Sequence, residues 1–428
     1  MKILLKNLLT LKDGIKDFLI EDAFIKKIGE NIDEKDCDRI IDCKNKLIMP
    51  GLYNCHTHAA MTLFRGYGED MPLDRWLNER IYPAEDLLTN EAVYTASMLS
   101  AGEMIKNGIV SCTDMYFFCD QTVNAFAKAG IKANIGRSVV SFDENEDPAK
   151  DSRVIESLRL FKDYHNFAGG RIKIDMTLHA EYTNTERMCR YLAEKAKELG
   201  ANMHIHLSET EKEHEEAKAR RNGRTPAEFF RDCGVFDCHT TAAHCVYLSE
   251  SDMQILSEYG VTAVHNPVSN LKLGSGVMRY SKMVENNVNI ALGTDGAASN
   301  NTLDIMKEMY IAAILHKGIE RRPDFGAAYD FIKLATENGA WAQKRSDCGK
   351  LEEGYKADLI LIDLDAINNI PYFDPCYAAI YSANSSNVYL TMVDGRILYE
   401  NGEFTTIDIE QVKHNMRFIC ENYFKRKN

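Results

Sequence analysis

The chain has 428 residues, a formal net charge of −13 and 45% hydrophobic residues, the texture of a soluble globular protein with room for one large domain and a smaller one. Its acidic balance argues against nucleic acid as principal partner, because such binders present a basic face, and no apolar run approaches the ~20 residues of a membrane-spanning helix. Twelve cysteines without framework spacing read as reduced thiols, and Lys6, Asn7 and Lys12 interrupt the apolar start before a signal-peptide core can form, so a cytoplasmic location is expected.

Residues 1–50 read as short strands (2–9, 17–20 and 24–28) with a turn at Lys12-Asp13-Gly14. They are too few to bury a core alone. Strand texture returns in 350–428, at 357–364 and 386–393, and Asp394-Gly395 then turns the chain into 396–399. The two ends are expected to form one small β-sandwich, followed by an amphipathic helix over 408–425, with residues 51–349 inserted between them.

The inserted middle alternates. Helical stretches at 91–107, 122–128, 151–165, 185–199, 211–219, 225–232 and 249–259 separate strands at 109–113, 133–138, 172–177, 202–207, 241–243, 261–264 and 289–292. With 52–56 as the first strand, this makes eight β–α alternations. Helix-separated strands imply a parallel sheet, and eight of them imply a (β/α)₈ TIM-like barrel.

In such a barrel the chemistry sits where strands end, and here unusual polar residues stand at every strand end. His56 and His58 end the first, two residues apart and so on one face of a strand. Asp114 follows the second, Arg137 the third and His179 the fourth. His206 ends the fifth, with Glu209 three residues on, while His244, His265 and Asp295 mark the sixth, seventh and eighth.

Any one of these could be an ordinary buried histidine or a loop carboxylate; the agreement of eight strand ends is the signal. His56, His58, His206 and Asp295 form the expected ligand set. Three nitrogens and a carboxylate suit one divalent ion, Zn²⁺ first, with Fe²⁺, Mn²⁺ or Ni²⁺ overlapping in preference. Glu209 is placed to shuttle a proton and His244 to steer the nucleophile. His204, one layer deeper on the fifth strand, and His265 are expected to support the ligands rather than bind.

The ordered set resembles the amidohydrolase superfamily, within its cytosine-deaminase-like branch the deaminases of 5′-methylthioadenosine and S-adenosylhomocysteine. The resemblance runs from Pro50-Gly51 through His58 and Pro72-Leu73-Asp74-Arg75-Trp76-Leu77 to Glu85. It continues in His206-Leu207-Ser208-Glu209-Thr210, Ala242-Ala243-His244, the segment 265–276, and Gly293-Thr294-Asp295-Gly296.

It implies hydrolytic deamination of an adenine nucleoside: 5′-methylthioadenosine, S-adenosylhomocysteine, 5′-deoxyadenosine or adenosine. In that reading Glu209 moves the water proton to the purine ring, Asp295 helps pass the second proton to departing ammonia, and His244 stabilises the attacking oxygen. Trp76 packs beside the ligand, Glu85 holds the ribose hydroxyls, His179 contacts the purine, and Arg137 is a candidate for a substrate carboxylate. The family's precedent implies a homo-oligomer.

Two positions depart from the family pattern: Leu178 and Glu181 stand where prolines usually flank the His-Ala pair. A pocket-facing Glu181 would repel a substrate carboxylate. The competing readings are a related hydrolase of guanine, a pterin or a triazine, and a catalytically inactive scaffold. The scaffold reading predicts damage among the ligands or at the shuttle, and every one of those positions is filled.

Overall fold

The computed structural model describes residues 1–425, with side chains to residue 422. The N-terminal segment supplies five strands: β1 (Lys2–Leu9), β2 (Ile15–Glu21), β3 (Phe24–Gly29), β4 (Arg39–Asp42) and β5 (Lys46–Pro50). The barrel strands are β6 (Leu52–Thr57), β7 (Ile109–Tyr116), β8 (Lys132–Val139), β9 (Ile172–Ile174), β10 (Met176–Leu178), β11 (Met203–Leu207), β12 (Thr240–His244), β13 (Thr262–His265) and β14 (Asn289–Leu292). The chain then returns through β15 (Leu359–Asp363), β16 (Val388–Val393), β17 (Arg396–Glu400) and β18 (Glu403–Phe404) to a terminal helix, Ile409–Lys425.

The two chain ends build one nine-stranded sheet in the order β18-β17-β16-β15-β5-β1-β2-β3, with β4 beside β1. Its central pair, β5 and β15, is antiparallel and joins residues more than 300 positions apart, such as Ile360 with Met49. Alternation along these strands serves two cores. Leu47, Met49, Ile360 and Ile362 face the barrel, while Ile48, Leu359 and Leu361 face Ile3, Leu5, Phe18, Ile20, Leu390 and Met392. The sheet thus folds over so that its two ends share a core, as a sandwich does. The Asp394-Gly395 turn has both residues at positive φ (46° and 71°), the geometry that the right-handed twist of a hairpin favours.

The barrel strands run parallel in the order β6-β7-β8-β10-β11-β12-β13-β14, with β9 beside β8. The expected single strand over 172–177 is two short ones. Between them Asp175, almost fully buried, turns its carboxylate to the side-chain amide of Asn134 at 3.0 and 3.1 Å. The second strand runs further than expected, through Asp114 to Tyr116.

Between β14 and β6 the barrel is sealed mainly by side chains. Asn54 Nδ2 donates to Thr294 Oγ1 at 2.7 Å and Thr294 N donates to Asn54 Oδ1 at 3.0 Å. One step further, Asp295 N donates to the carbonyl of His56 at 3.0 Å. Close approach here demands Gly293, because a Cβ would lie 2.4 Å from Asn266 Oδ1 and 2.9 Å from His56 Cβ. Among the described residues, no helix is long and apolar enough to cross a membrane.

Candidate metal centre and active site

At the C-terminal ends of the barrel strands four side chains converge. His56 Nε2 and His58 Nε2 each lie 3.3 Å from Asp295 Oδ1, and His206 Nε2 is 3.4 Å from His58 Nε2. Donor atoms of His56, His58 and His206 lie within 4.8 Å of one another, as do those of His56, His244 and Asp295.

Each proposed ligand is aimed by its other polar atom, the usual arrangement around ligating histidines. His56 Nδ1 meets His204 Nε2 at 2.9 Å, and His204 Nδ1 meets Thr241 Oγ1 at 2.5 Å. His58 Nδ1 donates to the carbonyl of Met115 at 2.6 Å, and His206 Nδ1 to that of His179 at 2.7 Å. Asp295 Oδ2 accepts from Ser269 Oγ at 2.7 Å and Ser299 Oγ at 2.8 Å, which leaves Oδ1 facing the histidines.

The donor set fits a divalent cation. His56 Nε2 is buried with no well-formed hydrogen bond, the Asp295 carboxylate 3.3 Å away being its nearest polar neighbour, a costly state for an imidazole nitrogen unless an ion shares it. Burial holds the pKa of His56 down at about 3, so it offers a lone pair. Burial also disfavours charge on His58, but its contact with Asp295 outweighs this and lifts it to about 9; the Asp295 carboxylate stays well below its usual range because His56 and His58 face it. A negative group among nitrogen donors is what a cation requires.

Two strained turns aim the remaining groups. Ser208 at φ 48° and His244 at φ 74° are left-handed conformations that cost about 1–3 kcal/mol each for non-glycine residues. The first is held by Glu213, whose carboxylate accepts from Ser208 N at 3.0 Å and Glu209 N at 2.8 Å. Glu209 Oε1 then accepts from Ser275 Oγ at 2.9 Å, and Oε2 lies 3.8 Å from His244 Nε2. His244 Nδ1 is paired with Asn270 Oδ1 at 2.8 Å. Its proton affinity is raised, burial being outweighed by Glu209 and Asp295 nearby.

These groups border a cavity of about 620 Å³ that is also lined by Trp76, Glu85, Arg137, Arg153 and His179. Trp76 is buried on the short helix Leu73–Trp76. Glu85 Oε1 accepts from Tyr116 Oη at 2.6 Å, and burial lifts its pKa to about 7. His179 Nδ1 lies 3.1 Å from Thr183 Oγ1, and burial lowers its pKa to about 4. Arg137 Nε donates to Glu156 Oε2 at 2.8 Å.

One expectation needs correction, and the open condition on Glu181 is not met. His265 gives no support to the ligand set: its Nε2 pairs with His316 at 3.1 Å, on the helix Ile305–Glu320. Successive strand residues face opposite sides, and it is Asn266 that reaches His244, at 3.4 Å. Glu181 does not face the cavity. It is fully buried and its carboxylate is gripped by Arg220 Nη2 at 2.6 Å and Arg221 Nε at 2.5 Å, so it repels nothing there. Leu178 likewise lies in the barrel's apolar core.

The residues that sequence reasoning missed are Ser269, Ser299, Asn270, Ser275 and Glu213. Ser269, Asn270 and Ser275 lie in the quoted segment 265–276 and Ser299 three residues past Gly296, where the density of Ser and Asn was the available signal; Glu213, in the first turn of the helix Glu211–Arg220, carried none.

A parallel β/α barrel flanked by a sheet from both chain ends, with this donor set at its C-terminal face, defines a metal-dependent hydrolase class. The amidohydrolase family profile matches residues 47–398, and the chain belongs to that family. It is 42% identical over 413 residues to a 5-methylthioadenosine/S-adenosylhomocysteine deaminase of Acetivibrio thermocellus, covering 96% of this chain and 94% of that one. It is 41% identical over 418 residues to a 5′-deoxyadenosine deaminase of Methanosarcina acetivorans, covering 98% and 95%. A zinc-bound adenosine deaminase structure from Xanthomonas campestris superposes with a TM-score of 0.93 at 27% identity, over 99% of this chain and 98% of that chain.

Proposed function

We propose that the protein is a zinc-dependent deaminase that hydrolyses the amino group of an adenine nucleoside to give the inosine analogue and ammonia. The observation that carries this reading is the Glu209 carboxylate, anchored by Ser275 and 3.8 Å from His244, beside the convergent His56, His58, His206 and Asp295. Relatives of about 40% identity that are named as adenine-nucleoside deaminases support the substrate class, and a zinc-bound structural relative supports the ion.

His56, His58, His206 and Asp295 would hold the ion. When bound, a divalent ion supplies the Lewis acidity that lets water act as a nucleophile near neutral pH. Glu209 Oε2 takes a proton from the water attacking the purine carbon that bears the amino group and passes it to the adjacent ring nitrogen. His244 Nε2 directs a donor at the attacking oxygen, its orientation held by Asn270. Asp295 exchanges the second proton at Oδ1, since Oδ2 is engaged by Ser269 and Ser299, and ammonia leaves. Trp76 covers one wall, His179 contacts the purine and Glu85 accepts from the ribose hydroxyls.

The test is an ammonia-release screen of the purified protein across adenine nucleosides, guanine, cytosine, pterins and amino-triazines. Release from adenine nucleosides is the expected result. Release confined to guanine, a pterin or a triazine overturns the substrate class, and a metal-loaded protein that releases none overturns the reaction.

A further inference from the structure

Glu181 is a fully buried carboxylate to which the reaction proposed above gives no part. It stands in the short turn that follows β10, and this turn has two sides. His179, Tyr182 and Thr183 line the cavity, while Glu181 points the other way, to the C-terminal end of the helix Glu211–Arg220. There Arg220 Nη2 donates to its Oε2 at 2.6 Å and Arg221 Nε to its Oε1 at 2.5 Å. Arg221 Nη2 also donates to the backbone carbonyls of Glu181 at 3.1 Å and Asn184 at 2.6 Å. One guanidinium therefore holds the carboxylate and two carbonyls of the same turn.

The turn passes this constraint inward. Thr183 Oγ1 lies 3.1 Å from His179 Nδ1 and accepts from Ala180 N at 3.1 Å, and Asn184 Nδ2 donates to the carbonyl of Ala180 at 3.0 Å. His179 is thus aimed by residues that Glu181 and its arginines keep in place. The other end of the same helix carries Glu213, which holds the backbone of Glu209. Stability alone does not call for the arrangement, because burying a carboxylate costs much of what its cations return and an apolar filler often serves as well. What paired guanidiniums supply and a filler does not is direction.

We propose that Glu181 is a positioning residue for the purine: gripped by Arg220 and Arg221, it fixes the turn 179–184 and with it the place of His179 in the cavity. The inference rests on the nucleoside deaminase reading above, in which His179 is the purine contact.

The experiment measures steady-state kinetics in the metal-loaded wild type and in Glu181→Gln, each with and without His179→Ala. The substrate is whichever of 5′-methylthioadenosine and adenosine the wild type turns over faster. Glu181→Gln is expected to raise KM about tenfold with kcat within about threefold, the mark of a displaced binding contact, and to leave the metal content unchanged. In the His179→Ala background the same change should alter KM by less than about twofold, since residues that act through one another do not add. An equal factor in both backgrounds overturns the proposal while leaving the reaction standing. Loss of metal in Glu181→Gln overturns it too, because the turn would then serve His206, whose Nδ1 donates to the His179 carbonyl. So does non-additivity with Glu213→Gln in place of His179→Ala, which would assign the effect to the helix and Glu209. If Glu181→Gln does not fold, Arg220→Gln removes one arm of the grip and leaves Arg221 bound; its KM should rise about threefold, and a folded Arg220→Gln enzyme with the wild-type KM overturns the proposal. A wild type that turns over neither nucleoside overturns the reaction and the positioning together.

Discussion

Glu213 holds Glu209 by its backbone. The Glu213 carboxylate accepts from Glu209 N at 2.8 Å and from Ser208 N at 3.0 Å, so that a turn with φ 48° at Ser208 persists and delivers the Glu209 side chain to the cavity. Glutamine in its place keeps the shape but sets an amide N–H against a backbone N–H. Glu213→Gln should lower kcat about tenfold, ~1.4 kcal/mol of transition-state stabilisation, with the metal content unchanged by elemental analysis. Loss of metal in parallel would show that the turn serves the ligands instead.

Glu209→Gln removes the proposed proton carrier and leaves the four-residue cluster intact. Its kcat should fall by about 10²–10⁴, the range for a positioned acid–base group, with bound metal at the wild-type level. Activity within about threefold of wild type means that another group carries the proton.

Glu85 sits across the cavity with its Oε1 on the Tyr116 hydroxyl at 2.6 Å. Glu85→Ala should lower kcat/KM for a nucleoside about 10–100-fold, mainly through KM, as the loss of a binding contact requires. Steady-state kinetics separates this from a fall in kcat, which would move Glu85 from binding to chemistry.

Chelation should abolish ammonia release and lower the melting temperature, because an ion bound only by the native state stabilises it by mass action. Adding back Zn²⁺, Mn²⁺ or Fe²⁺ separately and following both activity and melting identifies the working ion. A chelated protein with full activity would falsify the metal requirement.

Glu308 gives the chain a pH-dependent stability. It is fully buried, and burial pushes its pKa up to about 8 although Val268 N and Asn300 donate to it. The native state therefore keeps a proton that the unfolded chain releases near 4.5. The associated stability is complete below that value and is lost as the pH rises through the folded value, at a slope of at most about 1.4 kcal/mol per unit. Melting temperatures between about pH 5 and 8 should fall less steeply in Glu308→Gln than in wild type; parallel curves would assign the slope to other buried carboxylates.

Much of this architecture was legible without coordinates, for a local reason. Strands and helices follow from periodicity and turn residues, so the alternation from Leu52 to Leu292 and the returning strands after Gly349 could be read in chain order. A barrel sends its chemistry to strand ends, so His56, His58, His206, His244 and Asp295 could be picked out by position alone, with the family resemblance supplying roles.

What the sequence could not decide were the directions and partners of side chains. His265 and Asn266 are neighbours, yet strand alternation sends one to His316 and the other to His244, and only the register of β13 tells which. Glu181 reads as a charge near the substrate until Arg220 and Arg221, some forty positions later in the chain, are seen to close on it. The sequence by itself determined the barrel, the contribution of both chain ends to one sheet and the inventory of candidate metal-binding groups, because these rest on local pattern. The tertiary structure alone decided which atoms meet: Asn54 with Thr294 at the seam, Ser275 with Glu209, and Glu156 with Arg137, because each pair joins side chains from separate elements whose spacing exists only once the barrel has closed.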